Sequence, residues 1–219
     1  MTSTFGVRCR LYTVLYVLTM NAFAVAGMNA QSDATSQKAI IAYVFVQDRI
    51  LQPGEIAAEK LTRINYAFAN IKQGRIVSGF KNDDQNLATL VSLKQRNPSL
   101  TVFVSVGGWD WSGSFSDMAL TRASRKIFIT SALAYVERHH LDGLDIDWEY
   151  PGQAGSTNQF RAEDTQNFTL LLKELRERFT AAERRLHRPL SLSIAAGASS
   201  SYIAIRKWRR CNSISIPST

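Results

Sequence analysis

Leu141-Asp142-Gly143-Leu144-Asp145-Ile146-Asp147-Trp148-Glu149-Tyr150-Pro151 is the stretch on which the reading of this chain turns. Its carboxylates stand at positions 142, 145, 147 and 149. From 145 to 149 they recur every second residue, which is the side-chain period of a β-strand. Asp145, Asp147 and Glu149 therefore project to one face, and Ile146 and Trp148 to the other, where an apolar layer can cover them. Acids stacked on one face repel one another, so folding alone would not select them. Crowding of that kind splits carboxyl pKa values and lets one group keep a proton near neutral pH. The spacing thus points to acid–base chemistry, with Glu149 as the candidate proton donor. A calcium loop would need more varied oxygen donors and a glycine between ligands. Asp142, out of phase with the other three, is expected to brace the end of the strand.

Two further segments fit the same picture. Ser105-Val106-Gly107-Gly108-Trp109 closes an apolar run, and Arg63-Ile64-Asn65-Tyr66-Ala67-Phe68-Ala69-Asn70-Ile71 reads as a strand. Together with Asp142-x-x-Asp145-x-Asp147-x-Glu149, these segments resemble glycoside hydrolase family 18, the chitinases and their relatives, from about Lys38 to about Ala198. The resemblance implies a TIM (β/α)₈ barrel with its site at the C-terminal ends of the strands. It implies a retaining, substrate-assisted reaction in which the acetamido oxygen of the sugar attacks its own anomeric carbon. In that scheme Glu149 protonates the leaving oxygen and then activates water. Asp147 orients the acetamido group, and Asp145 shares a proton or hydrogen bond with Asp147. Tyr43 and Ser105 support the acid pair, while Phe68, Gly108, Trp109 and Tyr150 line the sugar site. No metal and no cofactor is implied. The expected ligand is chitin or chitooligosaccharides, with N-glycans as a substrate alternative. A chitin-binding lectin or an inactive fragment are the alternatives to an enzyme. Trp109, Trp111 and Phe115 read either as a sugar-stacking surface or as a buried aromatic cluster.

Composition bounds the rest. The 219 residues are 45% hydrophobic, enough to pack a core. Residues 1–26 read as a signal peptide: Arg8 and Arg10 precede an apolar run that ends at Ala24-Val25-Ala26. Secretion is the corresponding expectation, with residues 27–37 a flexible leader and no membrane attachment after cleavage. Loss of the two signal arginines lowers the net charge from +8 to +6, and no basic patch interleaved with aromatics points to nucleic acid. Cys9 would leave with the signal, and Cys211 would then lack an intramolecular partner. His139, His140 and His187 read as helix-end or loop residues, not metal ligands.

Strands are expected at Ala39–Val46, Arg63–Ile71, Leu100–Val106, Leu141–Trp148 and Leu190–Ala196. Helices are expected at Asn82–Arg96, at Arg122–His139 with Ile127, Leu133 and Val136 inward, and at Ala162–Leu186 with Phe168, Leu171, Leu172, Leu175 and Phe179 inward. This alternation predicts a parallel sheet with helices outside. It also predicts a barrel truncated to about five βα units, residues 38–201, followed by a divergent tail at 202–219. An open barrel would expose strand edges and favour self-association. Asn167-Phe168-Thr169 is a glycosylation sequon on a predicted amphipathic helix.

Overall fold

The computed structural model describes residues 38–156 and 158–205. The signal and leader readings, Cys9, Cys211 and the tail from 206 onward lie outside the described residues. Five strands form one parallel sheet: β1 (Ile41–Phe45), β2 (Arg63–Lys72), β4 (Thr101–Gly107), β5 (Gly143–Asp147) and β6 (Ser191–Ile194), in the order β1-β2-β4-β5-β6. A short β3 (Arg75–Val77) turns back antiparallel onto β2. Helices α1 (Asp83–Ser92), α3 (Arg122–Arg138) and α4 (Asp164–Leu186) connect successive parallel strands, as a β-α alternation requires. A short α2 (Phe115–Leu120) precedes α3, and α5 (Ser200–Ile205) follows β6.

The helices cover one face of the sheet. Leu87 and Leu90 of α1, Phe128, Leu133 and Val136 of α3, and Phe168, Leu171, Leu175 and Phe179 of α4 pack with Ile64, Tyr66, Val104, Leu144 and Ile146. On α3 the inward residue is Phe128; the neighbouring Ile127, expected inward, is 41% exposed. One residue of helical rotation, about 100°, separates the two. Thr121 and Ser124 close a capping box that starts α3, and His187, in a left-handed conformation, ends α4 behind Arg184 and Arg185.

The other face presents a different chemistry. Register places Phe45, Ala67, Ser105, Asp145 and Ser193 in one row across the sheet. The row below is Tyr43, Asn65, Phe103, Gly143 and Ser191. Gly143 is needed there because any Cβ would stand 2.6 Å from the Phe103 ring and 2.3 Å from the Ser191 carbonyl. Ile41, Tyr43 and Phe45 are exposed along β1 at one edge of the sheet. Strand pairing among the described residues thus stops at β1 on one side and β6 on the other.

Three elements escaped the sequence reading. β3 follows a turn at Gln73-Gly74, where both residues have positive φ, but Gln is not a strong turn signal at that place. α2 has six residues, too few to show a period. α5 spans the point at which the sequence reading placed the start of a divergent tail.

Candidate active site

β5 is buried along its whole length, and its two faces divide as the alternation predicts. Trp148 stacks on Phe115 of α2 at 5.1 Å and meets Phe168 of α4 edge-on at 5.6 Å. Phe115 is therefore core, fully buried, and not part of a sugar-stacking surface. The opposite face carries Asp145 and Asp147, with Glu149 just past the strand end.

Three hydroxyls converge on Asp145. Its Oδ2 accepts from Tyr43 at 2.8 Å and from Ser105 at 2.9 Å, and its Oδ1 accepts from Ser193 at 2.6 Å. These donors come from β1, β4 and β6, so Asp145 is fixed from three strands at once. Burial and the neighbouring charge of Asp145 hold the Tyr43 hydroxyl well above the usual phenol range.

Asp147 lies one strand period further along. Burial first, then the charges of Glu149 and Asp145, push its carboxyl up to about 7. Its side-chain hydrogen bond runs to Glu149. Toward Asp145 its coupling is through charge, while the Asp145 oxygens accept from the three hydroxyls. Asp147 therefore stands beside Glu149 with its own carboxyl held toward the protonated form. Among the described residues, no lysine or arginine forms an ion pair with these three acids. Tyr150 is raised by burial and by the Glu149 charge beside it.

The β4 end supplies the facing wall. Gly107 and Gly108 both have positive φ, and the Gly108 N–H donates to the Asp147 carbonyl at 2.8 Å. A Cβ at Gly107 would stand 2.4 Å from that carbonyl oxygen, and one at Gly108 would touch the Phe68 ring at 3.0 Å. Only glycine lets β4 and β5 approach this closely at their ends. Trp109 is half exposed and meets Tyr150 edge-on at 6.3 Å; Tyr150 in turn meets the buried Tyr202 at 5.5 Å. Phe68 stands against Phe45 at 5.9 Å, after a register shift in β2 and a cis peptide at Ala67-Phe68. A second cis peptide joins Glu149 to Tyr150. Trp111 packs on Phe80 at 5.0 Å, away from the Trp109–Tyr150 pair.

Tyr43, Phe68, Ser105, Gly108, Trp109, Asp145, Asp147, Glu149 and Tyr150 gather on this side of the sheet, whereas Asp142 does not. Asp142 sits at the opposite end of β5. There it accepts from the Val102 N–H at 2.7 Å and pairs with Lys94 at 2.5 Å and Arg188 at 3.8 Å. Sequence reading missed Ser193, Ser112 and Asn158. Ser193 lies on a strand that alternates Ser191, Leu192, Ser193 and Ile194, so a polar face was there to be seen. Ser112 opens a single 3-10 turn and Asn158 lies in a loop, and neither has a periodic signal. No group of acids, histidines or cysteines with metal-site geometry occurs among the described residues.

A parallel α/β sheet with carboxyls gathered at the C-terminal ends of its strands is the arrangement of a TIM-barrel enzyme site. The profile of Glycosyl hydrolases family 18 matches residues 31–215, and the chain belongs to that family. Chitinase A1 of Niallia circulans is 38% identical, in a match that covers 68% of this chain and 28% of the relative. Among solved structures, chitinase ChiA74 from Bacillus thuringiensis superposes with a TM-score of 0.76 at 30% identity, covering 81% of this chain and 38% of that one. A mutant class V chitinase from Nicotiana tobaccum, solved in complex with NAG4, superposes with a TM-score of 0.63 at 28% identity, covering 73% of this chain and 44% of that one. The chain thus spans under half the length of each of these relatives.

Proposed function

We propose that this chain is a secreted chitinase-like hydrolase that cleaves β-1,4-linked N-acetylglucosamine polymers with retention, the substrate's acetamido group acting as nucleophile. The observation that carries the reading is the division of labour on β5. Asp145 is immobilised by three hydroxyls, while the Asp147 carboxyl, raised beside Glu149, stands near the open end of the same face.

Each group has a role that its surroundings suit. Glu149, half-buried at the strand end, transfers a proton to the leaving glycosidic oxygen and later takes one from water. Asp147, relieved of its proton toward Glu149, accepts from the acetamido N–H and faces the positive charge that develops there. Asp145 adds negative charge behind Asp147 without moving, because Tyr43, Ser105 and Ser193 hold both of its oxygens. Trp109 and Tyr150 supply an aromatic wall against which a sugar ring can rest. A separate carboxylate nucleophile is unnecessary when the substrate brings its own. The relative solved with NAG4 supports the substrate class, and the apolar run before Ala24-Val25-Ala26 supports export.

Paired substrates test the proposal. A fluorogenic N-acetylglucosamine oligomer and its de-N-acetylated counterpart are offered to the same preparation. Hydrolysis confined to the acetylated oligomer is expected. Equal cleavage of both, or of neither by a folded sample, overturns the reading.

A further inference from the structure

Glu149 lies beyond the last residue of β5, so the strand ladder does not hold it. Side chains from a 3-10 turn after β4 and from the loop after β5 do so instead. The Glu149 N–H donates to Ser112 Oγ at 2.9 Å, and the Glu149 carbonyl accepts from Asn158 Nδ2 at 3.0 Å. Both main-chain groups of the proposed proton donor are therefore held by side chains, one on each side of the residue.

The two holders are themselves tied to the β4 loop. Ser112 is fully buried, and its hydroxyl proton faces the carbonyls of Gly108 at 2.8 Å and Asp147 at 3.1 Å. One hydroxyl thus links the Gly107-Gly108 turn, the end of β5 and the residue that follows it. The Asn158 amide also reaches the Trp109 carbonyl at 3.2 Å. The loop carrying Asn158 closes tightly here: a Cβ at Gly155 would stand 2.0 Å from the Glu149 carbonyl oxygen. Neither residue belongs to the motifs that carry the family resemblance.

We propose that Ser112 and Asn158 are positioning residues that clamp the Glu149 backbone and so fix its carboxyl against that of Asp147. The inference rests on the reading of Glu149 as proton donor. Neither side chain has to touch the sugar: Ser112 has no exposed surface, and the Asn158 amide is occupied by two carbonyls. Loosening the clamp moves the Glu149 carboxyl away from Asp147 and weakens the charge that raises it. The expected defect is therefore in the chemical step and not in binding, since a displacement of about 1 Å costs up to about 100-fold in rate.

The test uses the full chain as Ser112→Ala and Asn158→Ala, each checked for parental circular dichroism. The side-chain carboxyl of Asp147 is followed by carbon-13 NMR against pH, and kcat and KM are measured on the fluorogenic oligomer. In both variants Asp147 is expected to titrate about one pH unit or more below the parent's value. The value of kcat falls about tenfold or more while KM stays within about threefold. An Asp147 titration unchanged in folded variants overturns the clamp, as does a loss confined to KM. A parent without hydrolytic activity defeats the proposed function, yet the titration still decides the clamp. Should Ser112→Ala fail to fold, the half-buried Asn158 decides alone.

Discussion

The two ends of β5 carry the same kind of residue in opposite circumstances. At its start, Asp142 accepts a backbone N–H and sits between Lys94 and Arg188. Near its end, Asp147 faces a glutamate and another aspartate, and its carboxyl is pushed up to about 7. The first arrangement is what stability favours: a carboxylate compensated by hydrogen bonds and opposite charge. The second costs stability, and a fold keeps such an arrangement where a site requires it. The strand therefore separates a structural end from a chemical end within five residues.

Substitutions along β5 should keep these ends apart. The largest effect on rate is expected from Glu149→Gln, which removes the transferable proton. Hydrolysis falls about 1,000-fold or more, with little change in Tm, by steady-state kinetics and thermal melting. A comparable loss of stability in this variant would erase the distinction.

Asp147→Asn is expected to lower kcat about 100-fold and to stabilise the fold in alkaline solution. The sign follows from the raised value. Between an unfolded value of about 4 and a folded value of about 7, the folded chain holds a proton that the unfolded chain releases. Stability therefore falls as pH rises through that window. The asparagine variant lacks this slope and should exceed the parent by up to about 4 kcal/mol above pH 7, as denaturant melts at pH 4 and pH 8 would show.

Asp142→Ala has the inverse profile. It releases Lys94, Arg188 and the Val102 N–H together, which costs about 2 kcal/mol, or about 5 °C in Tm. The pH dependence of hydrolysis should be unchanged. A shift in that profile would mean that the strand transmits disturbance from one end to the other. The mildest change is Ser193→Ala, which leaves Asp145 two of its three hydroxyl donors. A drop in kcat of about threefold to tenfold is expected, with about 1 kcal/mol lost.

Much of this contrast was legible in the sequence because it rests on period and phase. The two-residue spacing of Asp145, Asp147 and Glu149 placed them opposite Trp148, and Phe115 and Phe168 cover Trp148 as that alternation demands. The phase of Asp142 set it apart in the same way. Helix α4 shows all five of its expected inward residues buried, a stripe that runs its whole length. What the sequence hid depends on register and on loops. Ser193 meets Asp145 only because β6 pairs with β5 in the register Asp145↔Ser193. Ser112 and Asn158 reach Glu149 from a 3-10 turn and a loop that no period announces. Phe115, read between sugar platform and core, is decided by Trp148 stacking on it. Asn167 of the sequon is 8% exposed on α4, so the folded helix hides the acceptor amide from modification.

The most direct test of the central claim, that the carboxyl cluster at the end of β5 is a glycosidase centre, is fluorophore release from an N-acetylglucosamine oligomer by the 219-residue chain beside its Glu149→Gln variant. The account predicts turnover by the parent and its loss in a variant of equal stability. Silence from a folded parent, or equal release from both, would contradict it.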